Sequence, residues 1–355
     1  MVPMGRKLVM KLQSTPYLAA GGTQLAGYAN PRQSWDPWRR LPVFGTYRRP
    51  LTLIFIVSAW VTVLPPLLGS EEVSPTGVVI RVAGGEIHVT LPDEQMKVSS
   101  QDLLKWVRSA AGAVSHYYGH FPAPHLTLRI RAGRGNGVGH GVTYAEGGGL
   151  INVTVGAGTE IDALKDDWVL THEMIHLAFP SMAESHHWIE EGISTYVEPI
   201  ARAQVGQFQV AEVWKQFILD MPQGQPASGD QGLDQTPTWG RTYWGGAMFC
   251  LVADVQIREQ TRNRKGLQDS LRAILDHGGV ITQDWDIERA LAIGDRATGT
   301  HVLQSLYKEM RDEPAPVDLD QIWRKLGVAL ENGEVVFNDH AVEAAIRRAV
   351  VSPPH

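Results

Sequence analysis

The chain has 355 residues, 43% of them hydrophobic, enough to bury one large core or two modest ones. Its net charge is −6, and after residue 50 positive charge gathers only between Arg258 and Lys265, so there is no phosphate-gripping face and nucleic acid is excluded as a partner. The single cysteine, Cys250, lies in an apolar run; it allows no internal disulfide, leaves no thiolate chemistry, and reads as packing.

Residues 1–50 hold Arg6, Lys7, Lys11, Arg32, Arg39, Arg40, Arg48 and Arg49 against one acid, Asp36. Rich in Gly, Pro, Arg and Trp and lacking periodicity, they read as a disordered basic segment or as sequence ahead of the true start. Residues 51–68 are apolar and uncharged, and about fourteen of them run uninterrupted up to Pro65-Pro66. That is the core of an export signal rather than the ~20 residues of a membrane span. The expectation for residues 51–70 is a signal peptide cut near Gly69 or Ser70, or, if uncut, a membrane anchor through residues 51–68. Either way the rest of the chain is expected outside the cytoplasm. Thr46 to Arg49 loosely resembles a twin-arginine signal, without the residues that usually follow one.

Residues 77–82 and 86–91 form an expected hairpin around Gly84-Gly85, residues 100–118 an amphipathic helix, and residues 125–131 and 150–155 strands. Between the last two lies a glycine-rich stretch in which Glu146 is either an exposed turn acid or a group able to hold a substrate amine. After residue 155 helical patterns dominate. The expected organisation is α+β, with a β-rich lobe over residues 71–158 and a helical lobe over residues 159–355.

Thr159-Glu160-Ile161-Asp162 reads as a capping box opening one helix of about five turns that Pro180 ends. Leu164, Trp168, His172, Ile175, His176 and Phe179 make its buried stripe. Within it His172, Glu173 and His176 spell His-Glu-x-x-His. A four-residue step advances about 6 Å and turns about 40° beyond a full turn, so both imidazoles leave one face and can share a metal ion. Glu173 falls beside that face, where a carboxylate can take a proton from water activated by the metal. A catalytic zinc needs a third protein ligand and an open position. The metzincin pattern would place a His at position 182, which is Met182. The next candidates are His186, His187, Glu190 and Glu191, the last two on a second helix with a stripe of Ile189, Ile193, Tyr196 and Ile200, interrupted near Pro199.

Residues 222–239, full of Gly, Pro, Gln and Asp, form a loop long enough to cover a cleft. Tyr243 follows it, opening a core helix in which Asp254 either supports a metal ligand or is a buried carboxylate paired elsewhere. Further helices are expected over residues 267–276, 284–293, 298–311, 319–326 and 341–350.

Trp188, Glu191, Gly192 and Tyr196 match the Trp-x-x-Glu-Gly-x-x-x-Tyr pattern of a family: with His172, Glu173 and His176, the sequence resembles the gluzincin metallopeptidases, in the branch of aminopeptidase N and the glycyl aminopeptidases. The resemblance implies a thermolysin-like fold, one Zn2+ held by His172, His176 and Glu191 in the cleft between the lobes, Glu173 as general base, peptide or protein substrates, and Tyr243 as donor to the oxyanion of the tetrahedral intermediate. Three departures limit it. Fourteen residues separate His176 from Glu191, where this branch usually has eighteen; Gly245 replaces a family Lys; and no Gly-x-Met-Glu-Asn motif grips a substrate amino terminus. Residues 150–155 are the expected edge strand beside the metal, and Glu146 and Glu190 are the remaining acids for an amine. The resulting expectation is a zinc peptidase, aminopeptidase slightly ahead of endopeptidase. The alternatives are a non-catalytic membrane-tethered binding protein and a zinc hydrolase of non-peptide amides.

Overall fold

The computed structural model describes residues 73–74 and 77–353, so the expected basic segment and export signal lie outside the described residues. The first lobe is a six-stranded sheet. Strands β1 (Val73–Ser74), β2 (Gly77–Val82), β3 (Gly85–Thr90), β4 (His125–Gly133), β5 (Val138–Tyr144) and β6 (Leu150–Gly156) lie in the order β1-β2-β3-β4-β6-β5. The hairpin of β2 and β3 turns at Gly84, whose φ of 102° suits glycine. Helix α1 (Ser100–Tyr118) then crosses over, so β4 runs parallel to β3. Ser99 starts α1 by accepting the amide of Asp102 at 3.1 Å. Leu103, Val107, Ala111 and Val114 share the core with the inward residues Ile87, Val89, Leu126, Leu128 and Ile130 of β3 and β4.

The strand expected at the edge is interior. β6 has β4 on one side and β5 on the other, and it buries Leu150, Ile151, Val153 and Val155, residues from both of its faces. The edge belongs to β5, antiparallel to β6 and carrying Gly139 and Gly141.

The helical part begins with a second correction. The single helix expected up to Pro180 is two: α2 (Ile161–Lys165) and α3 (Val169–His176). Thr159 does not cap; its hydroxyl donates to the carbonyls of Gly156 and Gly137. Asp167 breaks the run by accepting the amides of Val169 and Leu170 at 3.0 and 3.1 Å, and Trp168 turns outward, 41% exposed. Then come α4 (His187–Gln204), which carries Pro199 inside it without ending, and α5 (Val210–Asp220). A π turn at Arg241–Gly245 leads into α6 (Gly246–Thr261). α4 and α6 meet at glycines: a Cβ on Gly192 would land on the backbone of Gly246.

The remainder is α7 (Leu267–Asp276), α8 (Ile287–Thr298), α9 (Val302–Met310), α10 (Leu319–Leu326), a hairpin of β7 (Val328–Glu331) and β8 (Glu334–Phe337), and α11 (Ala344–Val351). The helix expected over residues 284–293 is thus shifted toward the C terminus, and the hairpin was not expected at all. Its turn is Asn332-Gly333, both at positive φ. A mixed sheet followed by a helical part is an α+β architecture. Among the described residues no helix is long and apolar enough to cross a membrane.

Candidate active site

α3 is short because a side chain fixes its start. Asp167 begins it, and the chain turns away after His176 toward Pro180. What remains is two turns, buried on nearly every side, with His172 at 5% exposure and Glu173 at 8%. α4 packs against it and delivers Glu191. His172 Nε2 stands 3.1 Å and His176 Nε2 3.6 Å from Glu191 Oε2, and one donor atom from each of the three residues lies within 4.8 Å of the others. Ligands at ~2.0–2.1 Å from a tetrahedral zinc lie about 3.4 Å apart, so the two observed separations bracket the value an ion would impose. The donor set and its spacing fit zinc.

Charge tells the same story. Burial opposes a charge on Glu191, yet the three imidazoles of His176, His172 and His187 hold its carboxyl well below the usual carboxylate range. The group is ready to face a cation without first losing a proton. His187 grips the other carboxylate oxygen, Nε2 lying 3.3 Å from Glu191 Oε1, while its Nδ1 lies 3.1 Å from Glu190 Oε2. Burial works against charge on that ring, but the two glutamates hold its pKa up to about 10. His176 Nδ1 has Ser194 Oγ at 3.3 Å, whereas His172 Nδ1 is buried without a hydrogen-bond partner.

Glu173 points toward β5. Thr143 lies with its hydroxyl 2.6 Å from Glu173 Oε2 and 2.9 Å from the Glu173 carbonyl oxygen, so one hydroxyl proton serves two acceptors. Gly141 lets the strand approach, because a Cβ there would lie 2.6 Å from Glu173 Cγ. The carboxylate is thereby held against the edge strand beside the ligand helix. Tyr243 enters from the π turn. Its ring stacks with His172, centroids 6.3 Å apart, and with Trp239, centroids 5.9 Å apart. Burial, followed by the neighbouring Glu191 and Glu173, raises its pKa, so the phenol keeps its proton.

The structure therefore brings together His172, Glu173, His176, Glu191 and Tyr243. It leaves others aside. Glu146 sits exposed in the turn after β5. Glu190 is turned to His187 and to the amide of Met182. His186 bonds Tyr307 and Asp234 rather than the ligands. Asp254 is a carboxylate paired elsewhere, accepting from Tyr196 at 3.0 Å, Arg258 at 2.8 Å and the Leu267 amide at 2.9 Å. The loop over residues 222–239 is clasped rather than free, since Asp234 accepts from Trp188 at 2.8 Å and Tyr307 at 2.9 Å. Sequence reasoning missed Thr143, which carries no motif, and the orienting role of His187, whose four-residue step to Glu191 was the available signal.

No protein-family model and no curated protein matches the chain. Solved structures do. An aminopeptidase N family protein from Idiomarina loihiensis superposes with a TM-score of 0.55 at 12% identity, over 71% of this chain and 49% of that one. An M1 zinc metallopeptidase from Deinococcus radiodurans gives a TM-score of 0.44 at 14% identity, over 67% and 53% of the two chains. The chain spans about half the length of these structures. At that identity the first comparison speaks to the backbone alone: the chain has a fold like that of an aminopeptidase N family protein.

Proposed function

We propose that the chain is a zinc-dependent peptidase with a thermolysin-like catalytic fold of the aminopeptidase N type. The observation that carries this is the convergence of His172, His176 and Glu191 donor atoms within 4.8 Å, next to a glutamate that a strand hydroxyl holds in place. Held by His172, His176 and Glu191, zinc would supply a Lewis acid able to acidify water and polarise a carbonyl. Glu173, anchored by Thr143, takes the proton of the attacking water and passes it to the leaving nitrogen. Tyr243 donates its phenolic hydrogen to the oxyanion, a charge present only in the transition state. His187 fixes one oxygen of Glu191 so that the other faces the two ligand histidines. β5 is the outermost strand of the sheet among the described residues, and an extended peptide can add along its outer edge. Thr143 favours this reading over a binding protein that merely keeps the fold, since a structural zinc site has no use for a positioned carboxylate beside it.

The test is a peptide-library screen of residues 71–355 with mass-spectrometric readout, with zinc measured on the same preparations. About one zinc at this site is expected; Glu191→Ala should empty it and Glu190→Ala should not. Glu173→Gln should keep the zinc and lower turnover by at least about 10²-fold. Equal zinc loss from the two first variants overturns the ligand set, and full turnover in Glu173→Gln overturns the mechanism. Comparing a cleaved peptide with its amino-terminally acetylated twin separates aminopeptidase from endopeptidase action. Export belongs to the same proposal, and residues 1–50 found intact on the exported protein would end the cleaved-signal reading.

A further inference from the structure

Three side chains far in sequence from the zinc motif meet on the solvent side of the sheet. Glu86 and His88 alternate along β3 with the buried Ile87 and Val89, so both stand on the open face. β4 runs parallel to β3 with His125 opposite Glu86 in register, and the buried Leu126 and Leu128 that follow leave His125 on that same face. His88 Nε2 lies 2.9 Å from Glu86 Oε1, and His125 Nδ1 lies 3.0 Å from the same oxygen. One donor atom from each of the three falls within 4.8 Å of the others.

We propose that Glu86, His88 and His125 form a second divalent-metal site, taking a borderline transition ion such as Zn2+ or Ni2+. Two imidazoles and one carboxylate suit such an ion, whereas Mg2+ and Ca2+ take oxygen ligands. Around a tetrahedral ion, bonds of ~2.0–2.1 Å set ligands about 3.4 Å apart, so each nitrogen–oxygen separation has to open by about 0.4 Å. The side chains can supply that movement. His88, His125 and Glu86 are 51%, 68% and 32% exposed, and the strand ladder already fixes their backbones. Arg81 flanks Glu86 from β2, the strand on the side away from His125. Water fills the positions the protein leaves open. Bound there, the ion clasps β3 to β4 across a parallel pair whose covalent connection runs the length of α1.

This inference does not depend on the peptidase reading. The experiment takes the folded chain with its first equivalent of zinc in place and titrates Zn2+, then Ni2+, by calorimetry, with metal content read by elemental analysis. The wild type is expected to take up a second equivalent. His88→Ala, His125→Ala and Glu86→Gln should each weaken that event about tenfold or more, the size of loss that even an outer-shell partner brings. These exposed substitutions leave the core untouched, so metal-free melting curves should coincide with the wild type, and Glu191→Ala should still bind an ion that His88→Ala then removes. A wild type that stops at one equivalent, and keeps that equivalent in His88→Ala, overturns the proposal. So does a second event that the three substitutions leave unchanged.

Discussion

If the proposed function holds, replacing Gly141 by alanine disables Glu173 without touching the proposed zinc ligands. A methyl at that position would lie 2.6 Å from Glu173 Cγ, 2.9 Å from Glu173 Oε1 and 2.9 Å from Val169 Cγ1. Carbon atoms settle at ~3.5–4.0 Å, so the carboxylate or the strand must give way by roughly 1 Å. A misplacement of that size at a reacting centre costs about 10²-fold in turnover. The overpacking itself costs ~1–3 kcal/mol, which at ~2–4 °C per kcal/mol lowers the melting temperature by about 2–12 °C. Gly139→Ala is the control: it lies on the same strand, but its Cβ meets nothing nearer than the Thr154 carbonyl oxygen at 3.4 Å. The assay is kcat on the best peptide from the screen, with zinc content and melting temperature measured on the same samples. The reasoning predicts zinc retained in both variants and kcat lost only in Gly141→Ala. Equal kcat in the two, or zinc lost from Gly141→Ala, would refute the idea that the edge strand sets the position of the base.

Tyr243→Phe should lower kcat about 10²–10³-fold with KM little changed, as for a lost oxyanion donor; an unchanged kcat would assign that role to another group. Asp254→Ala strands the buried Arg258 guanidinium and Tyr196 hydroxyl, a loss of ~3–5 kcal/mol and roughly 6–20 °C in melting temperature, while zinc content in the folded protein stays the same; a melting temperature within experimental error of wild type would deny it a structural role. Burial pushes the Asp167 carboxyl up to about 6, from an ordinary value of 3.8. Between pH ~4 and ~6 the folded chain holds a proton there that the unfolded chain has released, so this group makes stability fall as pH rises through that window. Asp167→Asn should remove that part of the slope, and parallel curves of melting temperature against pH for the two proteins would count against it.

The parts of the site that sequence makes legible are those that local geometry determines. A helix fixes the relation of His172 to His176 within four residues, a second helix puts Glu191 among the candidate ligands, and the choice of Glu191 from among them and the role of Tyr243 came only through resemblance to a family. What sequence hides depends on partners distant along the chain. The break after α2 rests on Asp167, whose other bond is to Trp106 of α1, 61 residues away, and a capping-box reading of Thr159 has no access to that contact. The edge strand was misassigned because strand order, not strand propensity, decides which strand is outermost. The pairing of Glu86 with His125 likewise exists only through the register of β3 on β4. The small hairpin is different: Asn332-Gly333 is a strong local turn signal, and the sequence reading passed over it between the helices expected at residues 319–326 and 341–350.

Asp234 links three pieces of chain that a description in lobes keeps apart. It joins the segment ahead of Tyr243 to Trp188 at the start of α4 and to Tyr307 on α9, and the backbone beside it is stitched to the end of α9 through Leu233 to Met310 and Asp234 to Arg311. Arg241 of the π turn closes the same segment from within by its ion pair with Asp230. The smallest portion of this protein able to hold Tyr243 against His172 therefore extends past residue 311. Shortening the chain to end after α6 would remove Tyr307 and the Met310 and Arg311 carbonyls that hold this segment, while leaving every named site residue in place.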